Sequence, residues 1–247
     1  MTADAQPSFA PTAQDAMSPN PMTFDEAITA RRSIRGFSPR PVPRELVEEV
    51  IALANRAPSS MNTQPWHMHV LTGEVLDRVR QGNQSRMLAG EPVNREIEDH
   101  GAYEGVHRDR QVEIAKQLFA EMGIERHDKE ARQDWVMRGF RQFDAPVSIV
   151  MTYDKSMEPG ATIAHFDMGA VTFGLVMAAW TRGLGCVING QGIMQSCVVR
   201  KEAQIPEDQV ILTCVAMGFP DESFPANSVV SRRRDPAEFT RFVGWDD

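Results

Sequence analysis

Cysteine is scarce in this chain. Cys186, Cys197 and Cys214 are the only three in 247 residues, and none stands in a C-x-x-C pair. That excludes a closed disulfide framework and a paired-cysteine metal or redox motif, and it points to a reducing, cytoplasmic setting. The cysteines read as small buried hydrophobes rather than nucleophiles. Basic residues are in deficit, with 26 Lys and Arg against 34 Asp and Glu and a net charge of −8. A general nucleic-acid partner, which needs a basic face, is therefore not expected. Long apolar runs are missing too. The richest, Met168 to Trp180, has 13 residues, where a membrane span needs about 20. It reads as a buried helix, with no membrane partner.

Familiar catalytic signatures are also absent. Gly183 and Gly185 begin a G-x-G, but Ile188 stands where the third glycine of a dinucleotide fingerprint belongs. The chain has no P-loop, G-x-S-x-G or H-E-x-x-H. His67 and His69 share one face of an expected strand, yet no third ligand is placed by the sequence, so no metal site is assigned. The first residues, MTADAQPSFAPTAQDAMSPNP, have neither the basic nor the apolar segment of a signal peptide. Residues 1–22 read as a disordered or loosely docked tail, and 23–247 as one domain.

Within that domain, Thr23 and Glu26 have capping-box spacing and start a short helix at Phe24. A second helix starts near Pro43, with Leu46, Val47, Val50, Ile51 and Ala54 on one face. HMHVLT, APVSIVMTYD, GCVING and QVILTCVAMGFP read as strands. AHFDMGAVTFGLVMAAWTRG reads as a long central helix, apolar on most faces and therefore buried, ended by Gly183 and Gly185. IMQSCVVRKEAQI reads as a further helix, and residues 75–140 as a charged helical excursion. Helices and strands without regular alternation indicate an α+β domain.

Against the acidic background, RRSIRGF places Arg31, Arg32 and Arg35 around Ser33. Arginine forks and a hydroxyl suit a phosphate monoester. Taken alone, the string equally fits a solvated basic turn paired with acids. Further on, Ser59, Ser60, Asn62 and Gln64 put four neutral hydrogen-bonding side chains between Pro58 and Pro65, with Trp66 next. Such a stiff polar loop suits a flat heterocycle, though a helix stop followed by a turn explains its prolines and serines.

Together, in order and at this spacing, RRSIRGFSPRPVPRELVEEVIALANRAPSSMNTQPWHMHVLTGE resembles the N-terminal signature of the nitroreductase-like FMN-dependent oxidoreductases. RGLGCVINGQG and VAMGFPDESFPANSVVSRRR fit the same family, so the likeness runs over about residues 23–245, with 75–140 unmatched. It implies a nitroreductase-like fold: a central mixed, mainly antiparallel sheet flanked by helices, in an intertwined homodimer. Arg31 and Ser33 would hold the FMN phosphate, with Arg233, or else Arg234, completing that site from the tail. Arg32 would meet the cofactor through its backbone. Arg35 would sit beside flavin N1 and O2, where a fixed cation stabilises the negative charge of the reduced ring. Pro58, Ser59, Ser60 and Asn62 would reach the FMN of the partner subunit, with Gln64 supporting their loop. The turn Gly190, Gln191, Gly192 would pass over the ring and present a backbone N–H to N5.

The implied activity is ping-pong electron transfer from NAD(P)H to a small aromatic substrate, a nitro compound reduced to the hydroxylamine or a quinone. No catalytic side chain beyond the flavin contacts is assigned. The resemblance also admits the halotyrosine dehalogenation and flavin fragmentation of relatives of this fold, and a non-catalytic flavin-binding module is the alternative from a different class. The resemblance implies that the excursion over 75–140 is a lid covering the pocket of the partner subunit, where Tyr103, Phe119, Trp135 and Phe140 either shape the site or pack.

Overall fold

A computed structural model describes residues 22–98 and 101–245; the tail expected over 1–22 lies outside these but for Met22. Helix α1, Phe24–Ala30, opens on the anticipated capping box, with both reciprocal Thr23–Glu26 bonds present. Helix α2, Arg44–Ala54, starts at Pro43 and buries Val47, Val50 and Ala54. Four strands follow: β1 (Trp66–Thr72), β2 (Val147–Asp154), β3 (Gly185–Asn189) and β4 (Gln209–Gly218). They form one sheet in the order β1-β2-β4-β3. All three pairings are antiparallel. The only parallel contact among the described residues is an isolated bridge from Ser33 to Cys186, which ties the arginine segment to β3.

β2 is buried along seven of its eight residues because helices cover both faces of the sheet. One face packs against α2 and α6 (Thr162–Trp180) through a core of Val50, Ile149, Met151, Met168, Leu175 and Met217. The other packs against α3 (Gly73–Leu88) and α7 (Ser196–Ala203) through Leu76, Val79, Val150, Val199 and Ile211. Helix α3, within the excursion, is therefore part of the body; α4 (Gly105–Glu121) buries only Leu118, and α5 (Lys129–Phe140) buries Met137, Gly139 and Phe140.

Helix α6 departs from expectation in two ways. It begins at Thr162, so by length and hydropathy it matches a membrane span, but it lies mostly buried in the core. It is not buried all round, however. Ile163, Phe166 and Phe173 form an exposed apolar stripe, and Phe166 is 78% exposed. Gly183 ends the helix in the left-handed region at φ 74°, and the Leu184 N–H returns to the Ala179 carbonyl. Gly185 serves packing instead: a Cβ there would lie 2.5 Å from the Ile34 side chain.

Candidate functional site

RRSIR runs as an extended segment beside β3, with alternate residues facing inward. Ile34 is fully buried, and its N–H donates to the Cys186 carbonyl at 3.0 Å. Arg32 is also buried, its guanidinium directed to the Ser228 carbonyl at 3.5 Å. It therefore braces the tail from inside. Arg31, Ser33 and Arg35 face the other way. Buried Asn227 holds this segment in place. Its Oδ1 accepts from the Arg35 and Gly36 amides at 2.7 and 3.1 Å, and its Nδ2 donates to the Gly36 carbonyl at 2.7 Å. Arg138 of α5 donates to the Arg35 carbonyl at 3.1 Å. Neither Asn227 nor Arg138 carried any local signal of this role, since both act across about a hundred residues or more.

The cationic character of the cluster is concentrated. Burial, and then the charge of Arg31, push the Arg35 guanidinium down to about 10 from its usual value. Arg31 is lowered by burial and then by Arg233. No carboxylate contributes to either shift, although the protein is acidic overall. Partly buried cations brought together without an acid are costly unless an anion joins them. Of the tail arginines, Arg233 is the one whose charge reaches Arg31. Arg232 instead approaches Glu113 at 3.5 Å, and Arg234 stacks over Phe239 at 4.2 Å.

Arg35 opens onto a cleft of about 570 Å³. Gly190 and Gln191 border it, as do Val187 and Ile188 of β3, while Leu118, Trp135, Val136 and Phe143 supply apolar walls. Of the excursion aromatics, Trp135 thus faces the cleft, Phe140 is buried, Tyr103 is exposed and Phe119 lines a separate groove on another face of α4. Phe143, whose lining role was not foreseen, sits in a left-handed run from Gln142 to Asp144.

The two glycines of the turn have different reasons. Gly190 has open space where a Cβ would point. Gly192 is buried, and a Cβ there would lie 2.6 Å from Cys214 Sγ and from Gln142 Nε2. The Gln191 N–H is taken by Asn189 Oδ1 at 3.1 Å. Gly190 is thus the turn residue whose backbone is both in the cleft and uncovered by a side chain.

The loop from Pro58 to Gln64 does not enter this cleft. It is largely exposed, with Met61, Asn62 and Gln64 at positive φ. Its fold is held by the buried Asp167 carboxylate, both oxygens of which lie 3.1 Å from the Ser60 N–H. Ser59 Oγ accepts from the Gln64 N–H at 3.0 Å, and Gln64 Nε2 donates to the Asn62 carbonyl at 3.2 Å. The loop is fastened to α6, beside the exposed apolar stripe. His67 and His69 are turned to Asp154 and Gln209, at 2.9 and 2.7 Å.

Fold and site together define an α+β protein with a cluster of cations at the edge of an apolar-walled cleft. The Nitroreductase family model matches residues 28–219, and the chain belongs to that family. It is 34% identical over 223 residues to the chloronitrobenzene nitroreductase of Comamonas testosteroni, covering 89% of this chain and 96% of that one. The nitrobenzene nitroreductase of Ectopseudomonas oleovorans is likewise 34% identical, with the same coverage. Among solved structures, the FMN and NADPH-dependent nitroreductase NfnB from Sphigopyxis sp. strain HMH superimposes with a TM-score of 0.85 at 29% identity, over 91% of this chain and 100% of that one.

Proposed function

We propose that this protein is an FMN-dependent enzyme that passes electrons from a nicotinamide donor to nitroaromatic compounds, with quinones as a second class of acceptor. The observation that carries this reading is the acid-free cluster of Arg31, Arg35 and Arg233 at the edge of an apolar cleft. Those residues fit FMN, whose phosphate dianion offsets the clustered charge. Arg31, Ser33 and Arg233 would hold the phosphate, and the Gly190 backbone would lie against the ring. Bound there, the flavin supplies reversible two-electron transfer between the two substrates in turn, a ping-pong cycle.

The chain's own contribution is electrostatic and steric. Arg35, still protonated at neutral pH with a value near 10, places a fixed cation where charge develops on reduction. Leu118, Trp135 and Phe143 keep water from the reacting face and offer apolar contact to an aromatic substrate. A second copy of the chain would complete the site with Pro58, Ser59, Ser60 and Asn62. The exposed Ile163–Phe166–Phe173 stripe next to that loop is the surface that supports such a homodimer. Both nitroreductases reported above from sequence are named for nitroaromatics, which favours this reading over dehalogenation, flavin fragmentation or passive flavin binding.

The test is spectroscopic. FMN-loaded protein is mixed anaerobically with NADH or NADPH, and a nitroaromatic is then added. Bleaching of the flavin followed by recovery is the expected outcome. Flavin that binds but stays oxidised would leave only a binding module, and a folded protein without flavin uptake would overturn the reading entirely.

A further inference from the structure

Helix α4 turns one face inward and another to solvent. Ile114 and Leu118 pack with the tail at Ala226 and Val229. On a neighbouring face, Arg108, Val112, Lys116 and Phe119 recur at helical spacing and line an open groove of about 720 Å³, closed on its far side by residues 123–126 and Arg132 of α5. Its floor is apolar. Its rim carries four cations, Arg108, Lys116, Arg126 and Arg132, against one carboxylate, Glu125.

Two of these cations are already engaged. Arg132 lies 5.4 Å from the centre of the Phe119 ring and donates to the Arg126 carbonyl at 3.0 Å. Arg108 donates to Gln111 at 2.6 Å. The side chains of Lys116 and Arg126 meet no acid or acceptor among the described residues. A local positive excess of this kind stands out in a chain of net charge −8. The groove also shares a wall with the cleft. Leu118 and Trp135 face the cleft, while Phe119 next in sequence and Arg132 a turn earlier face the groove.

We propose that this groove binds the adenosine half of NADPH, with its 2′-phosphate met by Lys116 and Arg126 and its adenine laid on Phe119. The inference rests on the reading of this chain as a nicotinamide-dependent reductase and adds the choice of donor. A phosphate monoester carries close to two charges at neutral pH and suits two uncommitted cations. The chain has no glycine-rich dinucleotide fingerprint, so discrimination of NADPH from NADH falls to side chains of this kind.

The experiment compares adenosine 2′,5′-bisphosphate with 5′-AMP by calorimetry on FMN-loaded protein, for the wild type and for K116A/R126A. The bisphosphate should bind the wild type more tightly than AMP, and the double variant should lose that advantage, by roughly tenfold for each charge-assisted contact removed. KM for NADPH should rise to match, with KM for NADH and the flavin spectrum unchanged. Both side chains are exposed, so the variant should fold normally. Equal binding of the two nucleotides, with flavin promptly reduced by both donors, would sink this site alone; flavin reduced by neither would sink the enzymatic reading. A variant that changes oligomeric state and keeps its bisphosphate affinity would overturn the proposal in favour of an acidic protein segment in the groove.

Discussion

The Gln142 side chain donates from Nε2 to the carbonyl of Gly192 at 3.0 Å, across fifty residues of sequence. Its Oε1 accepts from Ser148 Oγ at 2.9 Å and from Cys214 Sγ at 3.0 Å. Asn83 donates to the same Gly192 carbonyl at 2.8 Å, and Asn189 Nδ2 donates to the Gly139 carbonyl at 2.7 Å. The turn at the cleft and the C-terminal end of α5 thus rest on one buried polar unit. Asn83 Oδ1 alone among these groups is buried without a partner; the paired members rigidify what they hold, and here they hold the turn that borders the cleft.

Gly190→Ala and Gly192→Ala should separate function from packing. At Gly192 the new methyl must displace Cys214 and Gln142, which should cost about 1–3 kcal/mol of stability and lower the thermal midpoint. At Gly190, with φ −69° and open space for a Cβ, folding should be unaffected. Its methyl enters the cleft, so the flavin spectrum or its rate of reduction should change instead. Thermal melts beside flavin spectra check the pair. Equal stability losses would remove the distinction.

Much of this was legible in advance. The capping box at Thr23, the apolar face of α2 and all four strands are local patterns, and local patterns survive folding. RRSIR was legible because its arginines stand against an acidic background. The polar support was not. Asn83, Gln142, Asn227 and Arg138 act over long sequence separations, and nothing in their neighbours marks them. Cys214, read as a small hydrophobe, is buried as expected, but its single S–H also has two acceptors in reach, Gln142 Oε1 and the Asn189 carbonyl, each at 3.0 Å. The exposed stripe of α6 was missed because an all-round apolar helix reads as core unless another surface is available to cover it.

Arg233→Ala should weaken FMN binding by roughly tenfold or more, since a charge-assisted contact is worth about 1.5–3 kcal/mol. Arg233 is exposed and, among the described residues, bonds only to Ser231 and the Arg232 carbonyl, so stability without flavin should hold. Arg234→Ala, which removes a stack on Phe239, should leave FMN affinity nearly intact. Flavin titration followed by fluorescence distinguishes them. A larger loss at Arg234 would reverse the assignment.

Arg35→Lys should make flavin reduction pH-dependent. Burial and Arg31 bring the arginine down to about 10; the same surroundings acting on lysine, whose ordinary value is lower than that of arginine, bring it down to a lower pH still. Above that pH the variant loses the cation that opposes charge on the reduced ring. Its reduction potential should fall more steeply than that of the wild type as pH rises through this range. Parallel potential–pH curves would show that Arg35 does not act through its charge.

The three thiols should divide by burial. Cys186 and Cys214 are each pushed up to about 12 by burial, from an ordinary value of 9.0, while Cys197 is exposed. A thiol reagent at pH 8 should label native protein only at Cys197 and reach the other two after denaturation. The sign for stability follows from linkage. Between about 9 and 12 the unfolded chain releases these protons and the folded chain keeps them, so their contribution is whole below 9 and lost as pH rises through 12. Denaturation midpoints measured upward from pH 8 should therefore decline. Rapid labelling of Cys214 in the native state would mean that the polar unit under the turn opens readily.

Phe166→Asp tests whether one copy of the chain is sufficient. Phe166 is the most exposed large side chain of α6 and stands one residue from Asp167, which fixes the Ser59–Gln64 loop. A carboxylate at the centre of an apolar interface costs several kcal/mol when that interface forms, while at a solvent-exposed position it costs the monomer little. The variant should sediment as a folded monomer, its thermal midpoint before flavin is added lowered only by the association it has lost. It should also lose most of its FMN affinity, because the loop residues Ser59, Ser60 and Asn62 would no longer be supplied by the second copy. A monomer that retains full affinity would show that Arg31, Arg35, Arg233 and the Gly190 turn bind the cofactor unaided. A dimer that persists would move the interface away from α6.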